Sequence, residues 1–499
     1  MYLLGLDVGT TNWKANLYDL KGKLVVSVSQ PTPVRKDKRG NSYSDAEEMW
    51  KIFSSLIREV SGKVKDPASI TAVSFASMAE AGCLVDEDGL PLTHIIPWFD
   101  QRTMPEAEQI LKRISKKEIF GMTGINLTYI YSICKILWFK KYEKTAFKKA
   151  AKWVCAPDYL IKRMSGKWAT DYSIATRTAL FDIKNKKWSK RLLKIIGIKE
   201  SFLPQAYPSG TLIGNITEKA SKECGLPVTT KVVLGGHDHI CGSIGVGLFS
   251  EGKGLNSMGT TECVCIPLKK LDNLKKYFKS GFSFGCYTHG DMYYALAGIY
   301  YSSGIIEWLA REFYVKEKKK SKIYEAMIKD AKNSKPGSNG LYVFPHWLGI
   351  GVPFGLRDAR GFVFGFQPNT TKGDLVNATY EGLSYEYRLL METAEKELGF
   401  RTKELLVTGG GAKNKFWLKI KADILQKKLT VPLVPESVCF GAALLAGLGS
   451  GVIKDPKKFV NSYKKEVTKN TPKMKSFYDD QYKNHYMKIY RQNLPYWGK

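Results

Sequence analysis

Gly5-Leu6-Asp7-Val8-Gly9-Thr10-Thr11-Asn12, close to the start of the 499-residue chain, sets the architecture to expect. An apolar run from Leu3 to Leu6 is broken by a carboxylate and turned by a glycine and two hydroxyl residues. Lys14 to Leu20 then resumes the run, and a second turn at Lys21-Gly22 leads into Leu24 to Val28. The alternation predicts strands joined by tight turns. Aspartate is disfavoured inside a strand. Placed at a strand end, facing a glycine turn where N–H groups and hydroxyls converge, it suits a phosphate with a cation beside it. Taken alone, the same residues also describe an ordinary hairpin with an Asx-type turn.

Further along, Ser44 or Asp45 caps a predicted helix running to about Val60, and Ile70 to Phe75 reads as a buried strand. A helix is expected from Asp158 to Met164, with Pro157 at its first turn, where a missing N–H costs nothing. Strands and helices alternate throughout, which is the pattern of an α/β chain. The first turn recurs as Gly259-Thr260-Thr261, 250 residues later and half a chain away, again after a short apolar strand. The repeat predicts two similar halves with a cleft between them, where small ligands bind and hinge closure occurs.

Two more motifs carry chemistry. Leu234-Gly235-Gly236-His237-Asp238-His239-Ile240-Cys241-Gly242 follows a buried-looking strand, Lys231 to Leu234, and delivers Asp238 at the strand end, where a general base is well placed. His237, His239 and Cys241 alternate and would share a face of a strand as a zinc trio. The glycines argue for a turn instead, and no fourth ligand stands at a sensible spacing. Leu405-Leu406-Val407-Thr408-Gly409-Gly410-Gly411-Ala412-Lys413-Asn414 runs from a strand through glycines into a helix, Phe416 to Gln426. Bare backbone and a helix N-terminus there favour a flat, anionic ligand, although the Lys-Ser or Lys-Thr ending of a Walker A loop is missing. Cys263-Val264-Cys265 reads as strand core.

Charge and composition narrow the classes. There are 77 basic against 47 acidic residues, a formal charge of +30. The basic residues are mostly lysine and are spread over amphipathic helices, which describes solvated faces better than a nucleic-acid patch; the densest runs are Lys316-Glu317-Lys318-Lys319-Lys320 and Lys457-Lys458. Nine cysteines without CxxC spacing argue for a reducing compartment. No apolar stretch approaches the ~20 residues of a membrane helix, and the start lacks a signal-peptide layout, so a cytoplasmic protein with no membrane partner is expected. The tail from Lys454 carries Tyr478, Tyr482, Tyr486 and Tyr490 four apart, a helix laying an aromatic stripe on the body.

Together these motifs, on two related halves, resemble the FGGY carbohydrate kinases of the actin-like ATPase superfamily over nearly the whole chain. Trp98-Phe99-Asp100-Gln101-Arg102, Ser132-x-x-Lys135 ending at Trp138, Asp158-Tyr159-Leu160 with Asp171-Tyr172-Ser173, and Phe344-Pro345-His346-Trp347 with Asp358-Ala359-Arg360-Gly361 share the resemblance. So does Gly361 to Phe366, with Phe366 where a smaller aliphatic is usual. The resemblance implies an α/β fold of two duplicated ribonuclease H-like (actin-like ATPase) domains with an interdomain cleft. Residues 1–247 would bind sugar and carry the base, 248–451 would bind ATP, and 452–499 would form a helical tail.

It further implies phosphorylation of a sugar or polyol by ATP with Mg2+. Asp7 matches the carboxylate that organises the metal. Thr10, Thr11 and Asn12 match the first phosphate hairpin, Gly259 and Thr260 the second, and Gly410 and Asn414 the adenosine site. Asp238 matches the catalytic base, and Glu80, Trp98, Asp100 and Arg102 stand with Asp238 in the sugar-contact positions. Ala79 replaces the arginine that precedes this glutamate in glycerol kinases, and the Met-His-Gly of xylulokinases is absent. The acceptor is accordingly left as a ketose such as a pentulose, or a polyol, of modest size. A homodimer fits such a kinase, and nucleic acid is not expected as a partner. The other readings are a catalytically inactive nucleotide-binding regulator, opposed by the retained Asp238, and a basic nucleic-acid-binding protein, opposed by the lack of a clustered base-reading element.

Overall fold

The computed structural model describes residues 1–315 and 319–497. Lys316, Glu317 and Lys318, the first three residues of the densest basic run, lie outside the described residues. Two sheets organise the chain, and each is built in the same order. In the first, Leu24–Pro31, Asn12–Asp19 and Tyr2–Val8 form an antiparallel trio, continued by Ile70–Ser77 and Lys231–Val233, both parallel to Tyr2–Val8. In the second, Tyr293–Ile299, Glu262–Leu268 and Lys253–Met258 form the trio, and Glu404–Thr408 and Lys428–Pro432 run on in parallel. The duplication therefore extends from the Gly-Thr-Thr turn to the whole strand order. Each sheet gains an antiparallel edge strand beside its last parallel one, Leu212–Asn215 in the first and Lys465–Thr468 in the second.

The elements form where side-chain period and caps dictate. Tyr2–Val8 is a central strand, with Leu3, Leu4, Leu6 and Val8 buried, as a strand covered on both faces must be. Asp45 caps Ala46–Gly62 by accepting the Glu48 N–H, and Met49, Trp50, Phe53, Leu56, Ile57 and Val60 line its buried stripe. The helix expected at Asp158 begins at Ala156, because the Asp158 carboxylate reaches back to accept the Cys155 N–H at 2.9 Å and closes a capping box one residue before the helix. Pro157 falls in its first turn.

The tail departs from an all-helical reading. Lys465–Thr468 is a strand, because the outer edge of Lys428–Pro432 offers unpaired backbone groups that it satisfies. Helical structure resumes with a 3-10 turn at Pro472–Met474 and an α-helix from Lys475, and all four tyrosines are buried. Their four-residue spacing overshoots a 3.6-residue turn, and the wider π turn over Gln481–Tyr486 takes up the drift. Three of the hydroxyls reach carboxylates of the long helix Lys372–Leu398: Tyr478 to Glu381 at 3.3 Å, Tyr482 to Glu392 at 3.1 Å and Tyr486 to Glu386 at 2.7 Å.

The halves meet through two equivalent helices. Asp238–Gly245 follows the last parallel strand of the first sheet, and Ser437–Ser450 follows that of the second. They cross each other, and Ser437–Ser450 also lies on the strands of the first sheet. Glycine makes this approach feasible. A Cβ at Gly245 would fall 2.0 Å from the Ser437 carbonyl oxygen, one at Gly441 1.9 Å from that of Cys241, and one at Gly5 2.0 Å from that of Cys439. Each neighbour is backbone, which cannot swing aside as a side chain can. Gly441→Ala is therefore expected to lower the urea midpoint with an unchanged slope, costing about 1–3 kcal/mol or more; a variant as stable as the parent would show that the crossing can relax.

Candidate active site

Parallel strands of an open α/β sheet deliver their loops to a common crevice at their carboxyl ends. In the first sheet, three adjacent parallel strands end just before or at a carboxylate. Asp7 lies near the end of Tyr2–Val8, Glu80 follows Ile70–Ser77, and Asp238 follows the short strand Gly236–His237, which pairs alongside Ala76 and Ser77. Gly235 is required for this last approach, since a Cβ there would sit 1.9 Å from the Phe75 carbonyl oxygen. The zinc trio does not form: His237 closes a strand, His239 and Cys241 are helical, and no group of three or more metal-ligating side chains occurs among the described residues.

Asp7 and Asp238 form a like-charged pair with different surroundings. The Asp7 Oδ1 atom is enclosed and accepts no hydrogen bond. Burial first, and then the charge of Asp238, push the Asp7 carboxyl up to about 8, although the Lys14 ammonium pulls the other way. Asp238 is the first residue of its helix, with 26% of its side chain exposed, and its Oδ1 accepts the His239 N–H at 2.6 Å. His237 Nε2 lies 3.3 Å from Asp238 Oδ1, and burial, reinforced by the Arg177 charge, holds that imidazole well below its usual pKa, hence neutral. An enclosed carboxylate oxygen with no donor, next to a second carboxylate, fits a divalent cation.

Glu80 sits at the apex of a three-residue turn closed by the Ala81 N–H and the Ala79 carbonyl at 2.8 Å, with φ at +66°. That is a strained setting for a residue with a side chain, of the kind that persists when its surroundings over-determine it. Arg177 supplies the determination: its Nε and Nη2 lie 2.6 and 2.5 Å from Glu80 Oε1, and its guanidinium stands over the Tyr131 ring at 5.1 Å. Burial nonetheless holds the Glu80 carboxyl above its ordinary value. Lys135, fully buried nearby, is pushed down to about 8 by burial and donates to the Ile130 carbonyl. Arg177 was not singled out from sequence. The one available signal was a lone arginine in the small and apolar stretch Ala175-Thr176-Arg177-Thr178-Ala179-Leu180.

The other expected acceptor residues divide. The Trp98 indole N–H donates to the Thr10 hydroxyl at 3.0 Å, joining the Trp98 loop to the first hairpin. Asp100 and Arg102 are spent on each other and on the loop. Arg102 Nε lies 2.7 Å from Asp100 Oδ1, the Ser42 N–H donates to Asp100 Oδ2 at 2.6 Å, and Arg102 Nη2 donates to the Ser42 carbonyl at 2.6 Å. Burial opposes charge on Asp100, but these donors outweigh it and leave the carboxyl below its usual range. Arg102 also stands over the Trp138 ring and lines a separate cavity of about 700 Å³ whose walls include neither Glu80 nor Asp238. Thr11 and Asn12 are exposed at the tip of the first hairpin.

In the second half, a cavity of about 580 Å³ gathers Gly259, Thr260, Gly410 and Asn414, the four residues named there from sequence. The Asn414 side chain accepts the Trp417 N–H at 3.0 Å and so caps Lys415–Leu425. Gly409, at φ +90°, and Gly411 are held tightly against Met258, whereas a Cβ at Gly410 would meet nothing within 4 Å and would point into open space. Ser303 also lines the cavity, and its hydroxyl is enclosed without a partner; it went unnoticed in the sequence because a serine opening a helix ordinarily signals only a cap. Below the hairpin, Glu262 accepts from Asn256 at 2.8 Å and Ser302 at 2.7 Å and pairs with the fully buried Lys421. The second hairpin reaches the first half: the Cys263 thiol, raised to about 11 mainly by burial, feels the charges of Asp238 and Arg177.

With this geometry in place, the matches to known proteins are informative. The N-terminal domain of the FGGY family of carbohydrate kinases matches residues 2–245, and the family's C-terminal domain matches residues 254–450. The chain belongs to the FGGY family of carbohydrate kinases, phosphotransferases that use ATP as phosphate donor. A xylulose kinase of Staphylococcus xylosus is 28% identical over 451 residues, covering 90% of this chain and 91% of that protein. A glycerol kinase of Alkaliphilus oremlandii is 30% identical over 471 residues, covering 91% and 90%. The crystal structure of a gluconate kinase from Lactobacillus acidophilus superposes with a TM-score of 0.89 at 24% identity, covering 100% of this chain and 99% of that one, and so shares the fold. No helix among the described residues is long and apolar enough to cross a membrane.

The Glu80–Arg177 pair is buried, at 5% and 11% side-chain exposure, so removing one partner strands the other charge. Arg177→Met is expected to cost about 3–5 kcal/mol in urea unfolding, with part recovered when Glu80→Gln is added. A loss under about 1 kcal/mol would mean that Glu80 is held by something else.

Proposed function

We propose that the chain transfers the γ-phosphate of ATP to a hydroxyl of a small sugar, a ketose such as a pentulose, or a polyol, with Asp238 as general base. The observation that carries this reading is the unequal carboxylate pair. Asp7 is enclosed, with an oxygen that has no donor, and Asp238 is partly exposed at a helix N-terminus beside it. Asp7, with Asp238 near, would hold Mg2+. The ion, when bound, supplies charge neutralisation for the phosphates.

The chain's own residues divide the remaining work. Thr10, Thr11 and Asn12 on the first hairpin and Gly259 and Thr260 on the second offer hydroxyls and N–H groups to the phosphates from opposite sides. Gly410 and Asn414 leave a flat wall for adenosine. Glu80, locked by Arg177, presents a fixed acceptor for substrate hydroxyls, and Trp98 presents a ring face. Asp238 accepts the proton of the attacking hydroxyl as the new O–P bond forms and the bond from γ-phosphorus to the bridging oxygen breaks, leaving ADP. His237, neutral, adds no competing positive charge beside the base. Closure of the halves about the helix crossing expels water from the cleft, which protects ATP from hydrolysis.

Phosphoryl transfer depends on alignment and charge neutralisation, so loss of the base alone should strike turnover and spare binding. Asp238→Asn is expected to lower kcat by about 10²–10⁴-fold in coupled ADP-release assays with D-xylulose, glycerol and D-gluconate, while Mg-ADP affinity stays within about twofold. Near-normal turnover by the variant would remove the assignment.

A further inference from the structure

We propose that Trp98 is a positioning residue for the first phosphate hairpin, whose indole N–H fixes the Thr10 hydroxyl so that its single proton is left for a phosphate oxygen. This rests on the nucleotide-binding reading of the cleft. An indole N–H only donates, whereas a hydroxyl donates once and accepts twice. With Trp98 Nε1 3.0 Å from Thr10 Oγ1, the hydroxyl must be the acceptor of that bond and must send its own proton elsewhere. Its partner is the Met78 thioether sulfur at 3.9 Å, a weak acceptor that a phosphate oxygen readily replaces. Each donor in such a chain polarises the next, so the indole strengthens the hydroxyl as a phosphate donor as well as aiming it.

The surroundings hold both ends of this bond. Thr32 donates its hydroxyl to the Gly9 carbonyl at 2.8 Å and its N–H to the Thr11 carbonyl at 3.0 Å, which pins the hairpin backbone on either side of Thr10. On the indole side, Phe99 packs edge-on against Trp98 with ring centroids 5.6 Å apart, and Asp100 ties the loop to Ser42 and Arg102. Asp100 and Arg102 therefore serve the site by bracing Trp98. The indole N–H is committed, while the residue is 37% exposed, so the contact Trp98 offers a sugar is its apolar face.

The test is a double-mutant cycle read by titration calorimetry with Mg-AMPPNP, a non-hydrolysable ATP analogue, on the full chain. Trp98→Phe keeps the ring and loses the donor; it is expected to weaken binding about 3–10-fold with the melting temperature unchanged. Thr10→Val is expected to weaken binding at least as much, and the double variant to match Thr10→Val alone, because the indole acts through that hydroxyl. Thr10→Ser keeps the hydroxyl and should keep the sensitivity to Trp98→Phe, which preserves the readout if the valine variant folds poorly. Unchanged affinity in Trp98→Phe, or effects that multiply in the double variant, would overturn the proposal while leaving the nucleotide site intact. Failure of the unaltered chain to bind the analogue would instead overturn the nucleotide reading itself, and this proposal with it.

Discussion

The structure depends on two helices being able to touch through their backbones. Asp238–Gly245 and Ser437–Ser450 occupy equivalent places in the two halves and cross where Gly245 and Gly441 carry no side chain. Because interiors are close-packed, even one methyl group at such a point has nowhere to go. The consequence reaches the chemistry: the same crossing fixes the first turn of Asp238–Gly245, and with it the proposed base, relative to the second hairpin. A pair of packed elements with a narrow contact is also what allows two lobes to rock without losing their shared core.

Electrostatics in the cleft follow from placing several carboxylates at neighbouring strand ends. Burial, and after it the neighbouring charge of Asp238, raise the pKa of the enclosed Asp7. Glu80 avoids the same fate only in part, through Arg177. On the proposed function, Asp7 would take the positive charge and Glu80 would face a polar, uncharged acceptor. The formal charge of +30 gives the protein a positive long-range field of the kind that favours anionic ligands.

Much of this was legible in the sequence, for identifiable reasons. A turn such as Gly9-Thr10-Thr11 is local, so its repeat at Gly259 exposed the duplication that the strand order then displayed in full. Asp7 lies near the end of a strand, and Asp238, Thr260 and Gly410 come within two residues after one, so their placement needed only the direction of the chain. Arg177 and Lys135 were not legible as site residues, because their meaning comes from Glu80, far away in sequence and bent into an unusual turn. Arg102 and Asp100 looked like sugar contacts by position, whereas the fold joins them to each other and to Ser42. The tail's edge strand was hidden because four residues of Lys-Glu-Val-Thr acquire a strand's character only from the open edge beside them.

On the proposed function, the two hairpins close on one triphosphate. Hydrogen–deuterium exchange with and without Mg-AMPPNP tests it most directly, by comparing backbone amides at residues 8–12 with those at 258–262. Protection of both segments at the same ligand concentration is the predicted result; protection of one hairpin with the other unchanged would contradict it.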